Sequence, residues 1–240
     1  MLNSAELTGQ ASSHVVSDAC CRASVRLQPQ VFAAYRAMRE AAQQAGIELD
    51  IASGFRDFAR QREIWNRKFS GDAPLYDSSG ALLDPSSLST GEKVEAIMTW
   101  SALPGASRHH WGTDFDVYDP RPFADQQRQL QLIPAEYEEG GPCYDLALWL
   151  YRHAADFGFF FPYRVYQGGV AAEPWHLSHR SSASEAQQQL TTALLIKAVR
   201  NNDVAGSDYL CERMHELKER YVDNICSDNT AAGDNGWLFG

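Results

Sequence analysis

Three short segments carry side chains able to do chemistry together. The first, Ser107-Arg108-His109-His110-Trp111-Gly112-Thr113-Asp114-Phe115-Asp116, sets imidazoles and carboxylates around a glycine. Glycine lets the chain bend, so a histidine before Gly112 and an aspartate in a following strand can converge. In an extended run Asp114, Asp116 and Tyr118 share one face, with Phe115 and Val117 on the other. Neutral imidazole nitrogen beside carboxylate oxygen suits zinc. The second segment is Glu173-Pro174-Trp175-His176. Pro174 keeps Glu173 out of the helical region, and a glutamate three residues before a histidine can reach the same small volume from a turn. If His176 is a further ligand, Glu173 stands where it could take a proton from an attacking water. The third, Ser53-Gly54-Phe55-Arg56 with Gln61 beyond it, can offer a guanidinium to an anionic group from the end of a strand.

The elements that must position these residues are visible in the hydrophobic pattern. Residues 28–46 read as a helix: Pro29 suits a first turn, Val31, Phe32, Tyr35, Met38 and Ala42 recur at helical spacing, and Gly46 ends it. Residues 47–52 alternate as a strand. Asp57 can cap a helix carrying Phe58, Gln61, Ile64, Trp65 and Phe69. Further helices are expected at 92–103, 144–157, 184–200 and 206–222, and further strands at 113–118 and 159–166. The Gly/Pro/Ser/Asp-rich connection 70–91 is long enough to be a functional loop and a candidate lid. Helices and short strands intermix without regular βαβ alternation, which favours an α+β fold. The expected layout is an N-terminal arm at 1–27, a single domain at 28–226 and a ragged tail at 227–240.

Composition narrows the function classes. Among 240 residues, 21 Lys and Arg face 31 Asp and Glu, for a net charge of −10. That balance argues against a nucleic-acid or anionic-membrane surface. No apolar run approaches the roughly 18 to 20 residues of a membrane span. Five cysteines, Cys20, Cys21, Cys143, Cys211 and Cys226, form no CxxC and include an adjacent pair. They fit neither a disulfide framework nor a zinc-thiolate site, and read as reduced thiols. The opening Met1–Glu6 lacks a basic stretch leading into an apolar run, so no secretory signal is expected and the expected location is cytoplasmic.

Taken in order, the three segments resemble the VanY-type D-alanyl-D-alanine carboxypeptidases, zinc peptidases acting on bacterial cell-wall peptides. The family pattern runs Ser-Gly-Tyr/Phe-Arg, then Ser-x-His-x-x-Gly-x-x-x-Asp, then Glu-x-x-Trp-His or a shortened Glu-x-Trp-His. Here it is Ser53-Gly54-Phe55-Arg56, then Ser107, His109, Gly112 and Asp116, then Glu173-Pro174-Trp175-His176. The similarity spans roughly residues 45–180. It implies a small antiparallel sheet flanked by helices, of the hedgehog/DD-peptidase kind, with the metal in a cleft on the sheet. It implies one zinc per chain on His109, Asp116 and His176, Glu173 as catalytic base, and Arg56 steadying developing negative charge. Ser107, Gln61 and Ser53 become expected substrate contacts. Asp114 and Trp175 are expected to support the ligands, although many relatives carry a small residue at the Asp114 position. The implied substrates are peptidoglycan stem peptides or muropeptides. A cytoplasmic location favours L,D-carboxypeptidase action on tetrapeptide stems in wall recycling. D,D-carboxypeptidase or D,D-dipeptidase action, a phage-type endopeptidase and a non-catalytic zinc-bearing binding module are the alternatives.

Overall fold

In the computed structural model, which describes residues 1–125 and 128–226, four strands carry the site. The elements in chain order are α1 (Ser4–Leu7), β1 (Val16–Ser17), β2 (Arg26–Leu27), α2 (Pro29–Gln44), β3 (Asp50–Ser53), α3 (Phe58–Ser70), β4 (Leu75–Tyr76), β5 (Leu82–Leu83), α4 (Thr90–Trp100), β6 (Asp114–Tyr118), α5 (Tyr144–His153), β7 (Phe159–Phe160), β8 (His176–His179), α6 (Arg180–Gln189), α7 (Thr192–Arg200) and α8 (Ser207–Lys218). The main sheet is antiparallel, in the order β3-β6-β8-β7, and β1-β2 and β4-β5 are separate two-stranded pairs. This is the expected α+β arrangement of a small antiparallel sheet flanked by helices.

Strand parity decides which side of the sheet is core. Phe115 and Val117 of β6 turn into an apolar cluster with Ile51, Leu177, Val31, Phe32 and Tyr35. Val31, Phe32 and Met38 of α2 are essentially sealed from solvent, and burial of each such side chain contributes roughly 1.5–3 kcal/mol. The opposite parity puts Asp114 and Asp116 on the other face. There a second cluster, built around Trp65, Trp111, Val94, Ile97, Leu195 and Leu210, joins α3, α4 and the C-terminal helices. Register then aligns the functional row: Asp116 pairs with His176 on β8 and with Ser53 on β3, where the register shifts between Ile51 and Ser53.

Several expected boundaries move, each for a local reason. The helix expected at 184–200 is two helices, because Leu190 is extended and Thr191 caps the next one by accepting from the Leu194 N–H. The strand expected at 159–166 stops at Phe160; Pro162 has no N–H to give a ladder. The helix expected at 92–103 begins earlier, at Thr90, under a Ser89–Glu92 capping box. The helix expected at 206–222 widens into a π turn at Glu219–Asp223. The connection 70–91 holds the β4-β5 hairpin. Residues 1–27, expected as an arm, lie against the loop that carries the histidines. Trp111 Nε1 donates to the Leu7 carbonyl at 3.1 Å, and Val15 packs so close to Gly112 (φ +64°) that a Cβ there would sit 2.3 Å from its Cγ1. The tail expected at 227–240 lies outside the described residues. No helix among the described residues is long and apolar enough to cross a membrane.

Candidate metal centre

His109 comes from the 3-10 turn Arg108–Trp111, Asp116 from the middle of β6, and His176 from the first position of β8. Their ligand atoms all lie within 4.8 Å of one another, and all three residues are buried. His109 Nε2 is 3.4 Å from Asp116 Oδ2, and His176 Nδ1 is 3.4 Å from Asp116 Oδ1. The other nitrogen of each ring is already engaged. His109 Nδ1 is 2.9 Å from the Gly54 carbonyl, so it carries the proton and leaves Nε2 a lone pair. His176 Nε2 is 3.1 Å from Asp114 Oδ1, which leaves Nδ1 as the inward lone pair. Asp116 Oδ1 is buried with no hydrogen-bond partner. An orphaned carboxylate oxygen between two inward imidazole lone pairs is the donor set of a zinc site with three protein ligands. The residues therefore fit the ion that the sequence implied.

Glu173 stands beside this group, its Oε2 3.2 Å from His176 Nδ1. The turn is held by the Glu173 N–H donating to Tyr163 O and the His176 N–H donating to Glu173 O. The local charge is strongly negative. Burial alone would push His176 down, but hydrogen bonds to Asp114 and Glu173 and the charge of Asp116 raise it to about 10 in the metal-free protein, so a metal ion at Nδ1 takes the place of a proton and uses that lone pair. Such a potential attracts a divalent cation.

Asp114 shares the Asp116 face, as strand parity requires, and is fully buried. Besides His176 it accepts from Arg108 Nε at 2.7 Å and from Thr113 Oγ1 at 2.5 Å. Desolvation would raise its pKa, but the Arg108 and His176 charges hold it below the usual carboxylate range. Arg108 is itself buried, donating also to Ser178 Oγ at 2.7 Å and Gln187 Oε1 at 2.6 Å, with its guanidinium over the Trp111 ring. Asp114, expected to support the ligands, thus contacts both His176 and Arg108. Its partner Arg108 was not marked by any spacing signal.

Arg56 is anchored on several sides. Its Nη1 donates to Gln61 Oε1 at 2.9 Å and its Nη2 to Ser53 Oγ at 3.1 Å. Gln61 is sealed from solvent, and its Nε2 donates to the Ala102 carbonyl at 2.7 Å. Ser53 and Gln61, expected to touch substrate, instead aim Arg56, because both side chains point at the guanidinium and neither lines the cleft. The Arg56 backbone is gripped by His110, whose Nδ1 lies 2.6 Å from the Arg56 carbonyl while its Nε2 accepts from the Gly105 N–H. Burial pushes His110 down to about 3, so it is a neutral packing residue.

A cavity of about 310 Å3 opens over these groups, lined among others by Arg56, Ser107, His109, Asp116, Glu173 and His176. Ser107, expected to touch substrate, and Trp175, expected to support the ligands, both line it. Trp175 leans on Tyr137, whose hydroxyl donates to Val117 O at 2.6 Å. The lining residues without a sequence signal include Tyr163, whose ring meets His176 edge-on at 5.0 Å, and Lys68 of α3. No residue of 70–91 lines the cavity, whereas Gln131 and Leu132 do. His179 sits outside, against Phe159 and Ser182, and Cys143 is buried in a small apolar cluster.

A family model described as VanY, D-alanyl-D-alanine carboxypeptidase, matches residues 24–182, more than half of the chain. An uncharacterized protein of Haemophilus influenzae is 34% identical over 126 residues, covering 52% of this chain and 95% of that protein. A second uncharacterized protein of Haemophilus influenzae is 41% identical over 98 residues, covering 40% of this chain and 67% of that one. The solved structure of VanYB in complex with D-alanine-D-alanine is similar with a TM-score of 0.50 and 22% identity, over 81% of this chain and 92% of that chain. At that identity the likeness speaks for the fold.

Proposed function

Because the chain belongs to the VanY family of zinc-dependent D-alanyl-D-alanine carboxypeptidases, we propose that it releases the terminal D-Ala from peptidoglycan-derived stem peptides, with the L,D bond of a tetrapeptide as its preferred target. The observation that carries the peptidase chemistry is Glu173 at 3.2 Å from His176 Nδ1, on the rim of the His109–Asp116–His176 group.

His109 Nε2, an Asp116 oxygen and His176 Nδ1 would hold the zinc, which would supply Lewis acidity and a water of lowered pKa. Glu173 takes the proton of the attacking water and delivers it to the leaving amine. Arg56, aimed by Ser53 and Gln61, meets the charge that develops on the scissile carbonyl oxygen. Asp114 keeps His176 in the tautomer that presents Nδ1. Trp175 and Tyr163 wall the cleft and thin its water.

The L,D preference draws on the five unpaired thiols, the state expected in a reducing compartment. Soluble tetrapeptide fragments, rather than the intact wall, are the stem peptides met there. The family description favours the D,D bond of a pentapeptide as the second reading. Purified protein offered a tetrapeptide and a pentapeptide stem side by side, with and without chelator, separates the two. D-Ala release from the tetrapeptide supports the L,D reading, release from the pentapeptide alone replaces it with the D,D reading, and release from neither removes the carboxypeptidase assignment.

A further inference from the structure

Along α3, Gln61, Ile64 and Lys68 fall at positions i, i+3 and i+7 and therefore share a face. That face looks into the cleft: Gln61 holds Arg56, while Ile64 and Lys68 line the cavity. The helix is firmly set. Asp57 caps its start, Gly71 closes its end, and Trp65 Nε1 donates to Ala205 O at 2.9 Å. Lys68 Nζ reaches Ser101 Oγ at 2.7 Å, just beyond the end of α4. Among the described residues no carboxylate lies within 4.0 Å of this ammonium. The cavity that Lys68 lines also carries the apolar side chains of Met98, Leu103 and Val170. A half-buried cation with one neutral partner is poorly compensated, and an anion brought beside it meets a strengthened field. Burial lowers the Lys68 pKa, Glu173 opposes that and Arg56 adds to it, so the ammonium senses the residues of the catalytic cleft.

We propose that Lys68 and Ser101 form an anion subsite that takes a carboxylate of the peptide substrate. The inference rests on the stem-peptide reading above. Gln61, which holds Arg56, and Lys68 share one face of α3, and Arg56 and Lys68 line the same cavity. One peptide can therefore place its scissile carbonyl by Arg56 and a carboxylate by Lys68. Two carboxylates of a stem peptide have this chemistry: the terminal one of D-Ala, and the second carboxylate of a diamino diacid at the third position.

The test measures binding rather than turnover, in zinc-loaded Glu173→Gln protein titrated calorimetrically with matched peptides. One pair differs only in a free or amidated C-terminus. The other carries diaminopimelate or lysine at the third position. The parent should prefer the carboxylate-bearing member of at least one pair by about ten- to a hundred-fold. Adding Lys68→Met, which keeps the aliphatic stem, should abolish that preference, and Lys68→Arg should keep most of it. Loss in the first pair assigns the terminal carboxylate; loss in the second assigns the side-chain one. An unchanged preference in Lys68→Met overturns the proposal, as does a parent that discriminates in neither pair. Lys68→Gln serves if Lys68→Met melts early. Failure of the functional reading shows separately, as wild-type protein that binds these peptides and releases no D-Ala.

Discussion

Replacing Asp114 by alanine separates two jobs done by one carboxylate. Asp114 accepts from Arg108 Nε at 2.7 Å and faces His176 Nε2 at 3.1 Å, with no solvent exposure. Its loss leaves the Arg108 guanidinium buried against neutral partners only, and breaking such a pair costs about 3–5 kcal/mol. It also frees the His176 ring to turn or change tautomer. Loss of the group that orients a ligating histidine typically weakens metal binding by about 10- to 100-fold. The pairing makes the two effects separable. Asp114→Ala should lower both the stability of zinc-free protein and the zinc affinity. Arg108→Met/Asp114→Ala, with no stranded charge, should regain much of the stability and none of the affinity. Urea unfolding of the zinc-free proteins measures the first quantity, and competition with a chromophoric chelator the second. Zinc affinity of Asp114→Ala within twofold of wild type would refute the role given to Asp114. So would recovery of affinity in the double variant.

Three further outcomes follow from the same geometry. Gln61→Leu removes the acceptor from Arg56 Nη1 and should lower kcat on a stem peptide by about tenfold with little change in KM, whereas Arg56→Ala should cost about 10²–10³-fold; equal effects would show that Gln61 does more than aim the guanidinium. Burial pushes His14, on the loop that meets His110, below its ordinary value of 6.5. The unfolded chain then binds its proton first, so this contribution to stability is present above pH 6.5 and fades as pH falls below it; zinc-free unfolding between pH 7.5 and 5 should show a shallower slope in His14→Gln, and an unchanged slope would remove His14 from that dependence. Dialysis against a chelator should abolish D-Ala release and lower Tm, with zinc restoring both; a chain whose Tm ignores zinc would contradict a site built of buried His109, Asp116 and His176.

The chemistry was legible where it is local. Gly112 had to bend the chain between His109 and Asp116, and strand parity put Asp114 beside Asp116 on one face of β6. The Glu173–His176 spacing brought base and ligand together because Pro174 forces a turn. Side-chain direction was not legible. Gln61 and Ser53 stand among the expected residues, yet they point at Arg56 because the end of β3 and the first turns of α3 close around the guanidinium. Arg108, Lys68 and Tyr163 sit at positions that a solvated or core residue could equally occupy; only the packing of β6, α3 and the 161–175 loop around the cleft gives them roles. The fold failed to show at its seams for related reasons. Leu190 looks like one more apolar position of a continuous helix until Thr191 caps α7, and the aromatic run after Phe159 promises a longer strand than Pro162 permits.

The most direct measurement pairs wild type with Glu173→Ala, assaying zinc content and D-Ala release on the same preparations. The structure places Glu173 beside the ligand group without counting it among the three ligands. Both proteins should therefore hold one zinc per chain, with the wild type releasing D-Ala from a stem peptide and the variant losing nearly all turnover. A variant that keeps its zinc and more than about a tenth of the wild-type rate would contradict the assignment of Glu173 as the base.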